Sequence, residues 1–148
     1  YYEFMFKVST KGDYGLLLMQ TLGQKFGEGY ISLKEIAQQN KISFPYLSQI
    51  VLSLKDSGLV ESKEGLRGGY KLAKNQAEIT LIEILEALEG KVAPVKCCSD
   101  KNDCAIGIGC CMQSTWSEAT NIIKKFLASR TLAQVIAEKS STPITFIS

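Results

Sequence analysis

Apolar residues recur every three or four positions over residues 9–26, and this period predicts the first helix of the chain. Two glycines, Gly27 and Gly29, end the pattern. Residues 32–35 (Ser-Leu-Lys-Glu) have the sequence of a capping box, in which a serine and a glutamate three positions later satisfy free backbone N–H groups. We therefore predict a second, short helix from Leu33 to about Gln39.

A third helix and a hairpin are predicted next. Ser43 is placed as the N-cap of this helix, and Pro45 lies in its first turn, where the missing N–H costs nothing. Gly58 is placed to stop the helix. Residues 59–62 and 70–73 flank a glycine-rich turn, which predicts two short strands. Three helices followed by a β-hairpin is the order of a winged helix-turn-helix.

The second half of the chain is predicted to be helical. Thr80 and Glu83 form another capping box, which begins a fourth helix that Gly90 closes. A long amphipathic helix spans residues 113–129, and Thr131 caps a last short helix through about residue 138. The apolar stripe of the long helix consists of Trp116, Ala119, Ile123, Phe126 and Leu127. The predicted fold class is therefore mainly α with a small β-hairpin wing.

Polar residues at the start of the third helix are candidates for DNA contact, because the second helix of a helix-turn-helix enters the major groove by its N-terminal end. Gln49 can make a bidentate contact with adenine, while the hydroxyls of Ser43 and Tyr46 can reach phosphates or bases. An arginine flanked by glycines in the wing can approach the minor groove. The predicted DNA contacts are Ser43, Tyr46, Ser48, Gln49, Lys55, Arg67, Gly68 and Gly69.

An alternative is that Tyr46 and Gln49 only cover a solvent-exposed helix face, and Glu64 weakens the case for phosphate contact at the wing. Charge is distributed unevenly along the chain. Residues 5–75 contain ten Lys or Arg against six Asp or Glu, whereas residues 76–148 contain seven against eight. A mildly basic front half is compatible with a nucleic-acid face, and it favours a sequence-reading dimer over a protein that coats nucleic acid.

All five cysteines lie within residues 97–111, and three of them have the spacing Cys98-x5-Cys104-x5-Cys110. Thiols used only for packing would be spread through the apolar segments, so this clustering in a polar loop favours metal or redox chemistry. Even spacing favours an iron–sulfur cluster over a zinc ribbon, which uses paired Cys-x2-Cys knuckles. A register through Cys97 and Cys111, a zinc site and a redox thiol pair remain alternatives.

The chain contains no histidine, which removes the usual general base and the usual zinc partner. No nucleophile–base pair is evident, so we expect no enzyme. No apolar run reaches the length of a membrane span and no signal peptide precedes the predicted fold, so we expect a cytoplasmic protein with no membrane partner. In a reducing cytosol, clustered cysteines bind metals or do redox chemistry more often than they form structural disulfides.

Four motifs together resemble the Rrf2 family of bacterial transcription regulators, which includes the IscR-like and NsrR-like iron–sulfur sensors. They are residues 9–14 (Ser-Thr-Lys-Gly-Asp-Tyr), 42–49 (Ile-Ser-Phe-Pro-Tyr-Leu-Ser-Gln) and 68–73 (Gly-Gly-Tyr-Lys-Leu-Ala), and the evenly spaced cysteines with Trp116 after them. The resemblance extends from Met5 to about residue 138. It implies a homodimer that packs through the helix over residues 113–129 and reads a roughly palindromic double-stranded DNA operator.

The resemblance also implies an iron–sulfur cluster held by Cys98, Cys104 and Cys110 near the dimer interface. IscR-like members carry a histidine three residues after the last cysteine, where this chain has Gln113. Asp13 matches the position from which the NsrR-like branch supplies an aspartate of the partner subunit, so we predict Asp13 as the fourth ligand. This choice favours a [4Fe–4S] cluster, with [2Fe–2S] as the alternative. The other candidates for the fourth position are Gln113, Cys111 and Cys97.

The sequence thus predicts a cytoplasmic, homodimeric regulator whose cluster sets operator affinity in response to redox state, iron or nitric oxide. We expect a DNA-binding domain over residues 5–75, a connecting helix and cysteine loop over residues 76–112, and dimerisation and C-terminal helices over residues 113–139. The main alternative is a winged-helix regulator that uses zinc or bare thiols. A more distant alternative is a small iron–sulfur redox carrier with no role in DNA binding.

Overall fold

The structure, a computed structural model, describes residues 8–93 and 112–139. Within these ranges the elements follow the predicted order. The helices are α1 (Thr10–Gln24), α2 (Leu33–Asn40), α3 (Phe44–Asp56), α4 (Leu81–Glu89), α5 (Gln113–Ser129) and α6 (Leu132–Lys139), and the antiparallel strands are β1 (Val60–Lys63) and β2 (Gly69–Leu72). None of the helices in the described ranges is long and apolar enough to cross a membrane.

The caps predicted at two threonines form. The Thr80 hydroxyl oxygen accepts a hydrogen bond from the Glu83 N–H at 3.4 Å, and the Glu83 carboxylate accepts one from the Thr80 N–H at 2.8 Å. The bond from this N–H lowers the pKa of Glu83, because it stabilises the charged carboxylate. At the start of α6, Thr131 and Gln134 make the same reciprocal pair at 3.3 and 3.0 Å.

The caps predicted at two serines do not form. Ser32 and Ser43 have the extended backbone of an N-cap residue, but neither side chain accepts a hydrogen bond from its helix. At α2 the reason is the glutamate of the expected capping box. The Glu35 carboxylate lies 3.1 Å from Lys25 Nζ and also accepts a hydrogen bond from Gln39 at 3.2 Å, so it does not reach back to the start of the helix.

The first helix is shorter than predicted and ends at Gln24 instead of Phe26. The Phe26 N–H donates to the Gly23 carbonyl at 3.1 Å, a turn that replaces the four-residue bond of an α-helix. The side chain of Phe26 is 45% exposed. Since this last apolar position of the pattern is not buried, packing does not extend the helix to it.

The core lies between α1, α3 and α4, with α2 and α6 packed at its sides. Its fully buried side chains are Leu18, Met19, Leu22, Ile36, Leu47, Ile50, Val51, Leu54, Ile79, Ile84 and Leu132. Gly12 and Gly15 allow α1 and α4 to approach closely, because a Cβ at Gly15 would overlap the Leu88 side chain and one at Gly12 would overlap Glu89. The start of α1 is thus held against the end of α4.

A backbone bridge joins the wing to the segment between α1 and α2. Ile31 and Tyr70 each donate a backbone hydrogen bond to the other's carbonyl, at 2.9 and 2.8 Å. Gly69, next to Tyr70, has a φ of +149°, and a Cβ there would overlap the Ile31 carbonyl. Only glycine permits this approach. The strands lie within one residue of their predicted positions.

The long helix α5 packs against α4 and buries only part of its apolar stripe. Four members of the predicted stripe are half-buried, namely Trp116, Ala119, Ile123 and Leu127. Phe126 is instead 60% exposed, and the nearby Ile122 is 62% exposed. Phe126 lies at the edge of the predicted stripe, beside Ile122, where the described residues leave both side chains exposed.

Candidate nucleic-acid interface and cluster site

The turn between α2 and α3 sets the direction of the predicted recognition helix. Lys41 ends α2 in the left-handed conformation with a φ of +55°, and the buried Ile42 follows it. The side of α3 that faces the core consists of Leu47, Ile50, Val51 and Leu54. Because these four residues fix the rotation of the helix, its opposite side is left to solvent.

The predicted DNA contacts on α3 lie at its start and along its solvent side. Ser43, Gln49 and Lys55 are exposed. The hydroxyl of the half-buried Ser48 donates to the Phe44 carbonyl at 2.8 Å, so its proton is already used within the helix. Gln49 is the residue best placed for base readout, since its exposed amide can both donate to and accept from one base edge.

Tyr46 connects the recognition helix to α1. Its ring packs edge-on against Tyr14, with 5.9 Å between the ring centres and 77° between the planes. Both rings are half-buried against the core. Tyr14 directly follows Asp13, so a predicted iron ligand and a predicted DNA contact are joined by one pair of aromatic rings.

The tip of the hairpin carries the predicted wing contacts Arg67, Gly68 and Gly69. Arg67 is exposed, and the Gly68 N–H donates to the Gly65 carbonyl at 3.0 Å, which closes a tight turn. Lys63 and Arg67 form no ion pair with any residue that the structure describes. The exposed Glu64 is the acidic residue of this tip. The tip therefore presents two positive charges and one negative charge.

The base of the wing contains a separate network of charges. Lys71 Nζ lies 2.8 Å from Glu61 Oε1, and the Tyr30 hydroxyl donates to the same oxygen at 3.1 Å. Lys71 Nζ also lies 4.8 Å from the centre of the Tyr30 ring. The Lys71 hydrogen bond lowers the pKa of Glu61 and raises the pKa of Lys71. Because the charges and hydrogen-bonding groups of these three side chains are paired with one another, we assign the network to stabilising the hairpin and not to binding DNA.

Several exposed residues near the same surface were missed by sequence reasoning. Lys34 and Lys41 line a groove with Phe44 between α2 and α3. Leu52 follows Gln49 by three positions and is exposed on the same side of α3. Basic residues beside a helix-turn-helix turn are a usable signal for phosphate contact. No sequence signal identified the exposed apolar side chains.

Asp13 lies in the first turn of α1 with its side chain exposed. Within the described ranges its carboxylate has no ion pair and no hydrogen bond. Nearby, Ser9 caps the helix by accepting a hydrogen bond from the Gly12 N–H at 3.2 Å. The Ser9 N–H donates to Glu89 Oε1 at 3.1 Å, and the Ser9 hydroxyl donates to the same oxygen. Asp13 thus offers an open oxygen donor on a well-anchored turn.

The predicted cysteine ligands Cys98, Cys104 and Cys110 lie outside the described residues, as do Cys97 and Cys111. Gln113 is the first residue of α5 and is exposed. Among the described residues, no group of three or more His, Cys, Asp or Glu is placed to hold a metal. Thiolates with one exposed carboxylate are a donor set that suits iron in a cluster.

Comparison with known proteins decides the family. Residues 8–138 match the family described as "Rrf2: Iron-dependent Transcriptional regulator". The chain belongs to the Rrf2 family. One Rrf2 relative, the HTH-type transcriptional regulator CymR of Bacillus subtilis (strain 168), is 40% identical over 126 residues, which cover 85% of this chain and 86% of the relative.

Solved structures of Rrf2 proteins share the fold. The structure of CymR, described as the global cysteine regulator of B. subtilis, has a TM-score of 0.73 at 38% identity and covers 90% of this chain and 98% of that one. T. potens IscR has a TM-score of 0.71 at 37% identity, with coverages of 95% and 94%. The predicted family and fold class are confirmed. Since the Rrf2 relatives are transcription regulators, this chain is a DNA-binding regulator and not an enzyme.

Proposed function

We propose that this chain is a cytoplasmic homodimer that binds a double-stranded DNA operator with an affinity set by an iron–sulfur cluster. The observation that carries the proposal is the spacing Cys98-x5-Cys104-x5-Cys110 together with the exposed carboxylate of Asp13. Three thiolates and one oxygen donor fill four ligand positions. The description of the family as iron-dependent supports an iron cofactor. We favour [4Fe–4S], with [2Fe–2S] as the alternative.

A bound cluster would supply a group that reacts with oxidants and nitric oxide and is lost when iron is scarce. In this proposal Cys98, Cys104 and Cys110 anchor it, and Asp13 of the partner subunit binds through oxygen. An oxygen ligand holds iron less firmly than a thiolate does. A labile fourth position therefore suits a sensor of redox state, iron supply or nitric oxide.

Two contacts support coupling between the proposed cluster site and the recognition helix. Glu89, shortly before the cysteine segment, accepts two hydrogen bonds from Ser9 at the start of α1. Tyr14, beside Asp13, packs against Tyr46 of α3. A displacement of the first turn of α1 would therefore reach α3. Such coupling needs only that the two cluster states prefer different geometries, typically by about 1–3 kcal/mol.

We further propose that α5 forms the dimer interface. Met112, Ala119, Ile122 and Phe126 follow a spacing of three, four or seven residues, which places them on one side of the helix. The exposure of Ile122 and Phe126 leaves an apolar surface that a second α5 can cover. Sedimentation of the chain is expected to give a dimer, and a stable monomer would contradict this proposal.

Cluster control is tested by comparing operator affinity with and without the cofactor. A duplex enriched from a random library by the anaerobically purified chain serves as the operator, and the cofactor is removed with air and a chelator. We expect the two affinities to differ by about 5- to 150-fold, the usual range of coupling between two sites. Equal affinities would reject cluster control and leave DNA binding intact.

Gln49→Ala and Arg67→Ala are expected to weaken operator binding in different ways. Loss of a bidentate base contact at Gln49 should cost about 1–3 kcal/mol and relax the preference at one base pair. As a phosphate contact beside the minor groove, Arg67 should on removal weaken binding to all sequences alike and reduce the salt slope by about 1. Titrations of base-substituted duplexes at several salt concentrations measure both effects. Gln24 is exposed at the far end of α1 and serves as the control. If Gln24→Ala loses as much operator affinity as the other two variants, the assignment of Gln49 and Arg67 to DNA contact is contradicted.

Asp13→Ala is expected to change the Mössbauer spectrum of the anaerobic protein and to shorten the lifetime of its visible absorption in air, because one iron loses its oxygen ligand. The matched variant Gln113→Ala removes the other exposed polar candidate. It is expected to leave the spectrum and the lifetime unchanged. The reverse result would assign the fourth position to Gln113, and two unchanged variants would direct attention to Cys97 and Cys111.

A second candidate function is the control of cysteine supply without a cluster. The likeness to CymR, described as a global cysteine regulator, supports this candidate. The clustered thiols would then act through zinc or through their own redox chemistry, as the sequence also allows. A colourless, iron-free protein that is purified anaerobically and still binds its operator would favour this candidate over the first.

A further inference from the structure

Leu66 lies at the tip of the wing with its side chain wholly in solvent. Its exposure is 109%, the largest of the exposed large hydrophobic side chains within residues 8–93 and 112–139. Single exposed leucines are common on protein surfaces, so exposure alone assigns nothing. The surroundings of Leu66 distinguish it from the other exposed apolar residues.

The turn that presents Leu66 is held by its own backbone. Leu66 and Arg67 are its two central residues, and the Gly68 N–H closes it on the Gly65 carbonyl at 3.0 Å. A Cβ at Gly68 would overlap the Lys63 carbonyl, so β1 packs directly against the end of the turn. The side chain is therefore presented on an ordered base, which lowers the entropy cost of inserting it into a partner.

Two positive charges and the negative charge of the exposed Glu64 flank the apolar tip, which leaves a net positive charge there. Arg67 is adjacent to Leu66, and Lys63 ends β1 three residues before it. Neither cation is ion-paired with a described residue, whereas Lys71 at the base of the wing is paired with Glu61; Lys63 Nζ lies 5.8 Å from the centre of the Tyr30 ring. Some proteins that bind the minor groove insert an apolar side chain between base pairs. In these proteins, neighbouring cations bind the phosphates or the narrow groove.

We propose that Leu66 is an apolar wedge that enters the minor groove of the operator and partly unstacks one base step in each half-site. This inference rests on the proposed contact between the wing and DNA, and it adds a determinant of specificity. Pyrimidine–purine steps deform most easily, so the wedge selects such a step without a hydrogen bond to any base. The structure thereby assigns a reading role to a residue with no polar group.

The test uses the whole chain and duplexes enriched from a random library by the wild-type protein. 2-Aminopurine replaces one adenine at a time along the operator, because its fluorescence rises when stacking is lost. We expect the wild type to raise the fluorescence at one step per half-site. Leu66→Ala should abolish this rise and bind about tenfold more weakly, or about 1.4 kcal/mol. Leu66→Met, which keeps a long apolar side chain, should retain both properties.

Phe26→Ala is the matched control, because it removes another exposed apolar side chain, which lines a pocket with Glu61 and Lys71 at the base of the wing and not at its tip, and it should behave as the wild type. Wild-type affinity in Leu66→Ala would overturn the wedge. A weaker complex with the fluorescence rise intact would show a surface contact instead. Altered sedimentation of DNA-free Leu66→Ala, with unchanged fluorescence, would show a contact between protein copies. If the wild type enriches no sequence, the proposed operator binding itself fails.

Discussion

The Cys104→Ala variant is expected to be colourless after anaerobic purification, with iron and sulfide contents close to zero, while the wild type is brown. Cys104 is the middle member of Cys98-x5-Cys104-x5-Cys110 and also of the alternative register Cys97-x6-Cys104-x6-Cys111. Its loss leaves either register with two thiolates, Cys98 and Cys110 or Cys97 and Cys111, where three anchor the proposed cluster. Visible absorption together with iron and sulfide assays measures the effect.

The five cysteines supply their own controls. Cys98→Ala and Cys110→Ala should be as colourless as Cys104→Ala, whereas Cys97→Ala and Cys111→Ala should keep the colour. The opposite result would move the ligands to the register Cys97-x6-Cys104-x6-Cys111. A colourless wild type that contains zinc would replace the proposed cluster with a zinc site. Visible absorption with iron and sulfide assays distinguishes the two registers, and elemental analysis for zinc identifies the zinc site.

Gly69→Ala is expected to destabilise the wing and to abolish specific operator binding. At a φ of +149° an alanine is strained by about 1–3 kcal/mol, and its Cβ would also overlap the Ile31 carbonyl. The overlap is with backbone, so no side chain can move to relieve it. The bridge between Ile31 and Tyr70 should therefore break. Denaturant unfolding measures the loss of stability, and titration with the operator measures the loss of affinity.

Gly65→Ala separates the two causes. Gly65 has a φ of +108°, but a Cβ there meets nothing within 4 Å. This variant should lose stability through backbone strain alone and so lose less than Gly69→Ala. Equal losses in the two variants would mean that the approach to Ile31 does not constrain the wing. A variant at Gly27, which has a φ of +90° after α1, should lose stability and keep its DNA affinity.

The helices could be predicted because the chain repeats its apolar residues with a helical period, and their ends could be predicted where the cap is local. Thr80 and Thr131 cap as expected because their partners lie three residues away. The box at Ser32 fails because Glu35 pairs with Lys25, ten residues earlier in the chain. A local pattern contains no information on that competition.

In the candidate site, too, the sequence indicates the functional residues but not the contacts between distant parts of the chain. Residue types and spacing predict DNA contacts at Gln49 and Arg67 and cluster ligands among the cysteines, because both roles depend on particular functional groups. The bonds between Ser9 and Glu89 join residues that are 80 positions apart, and no periodicity predicts them. The pairing of Tyr14 with Tyr46 likewise depends on how α1 crosses α3. Contacts between residues that are far apart in the sequence can be identified only from the folded structure.

Trp116 gives the molecule a built-in optical reporter. It is the single tryptophan of the chain, and it lies half-buried in the first turn of α5, five residues after the last cysteine. Its emission therefore comes from one known place, at the junction between the sensing segment and the long helix. An absorbing cofactor nearby would quench this emission, and a change in polarity would shift its wavelength. Unlabelled protein can thus be followed in real time as it gains or loses its cofactor.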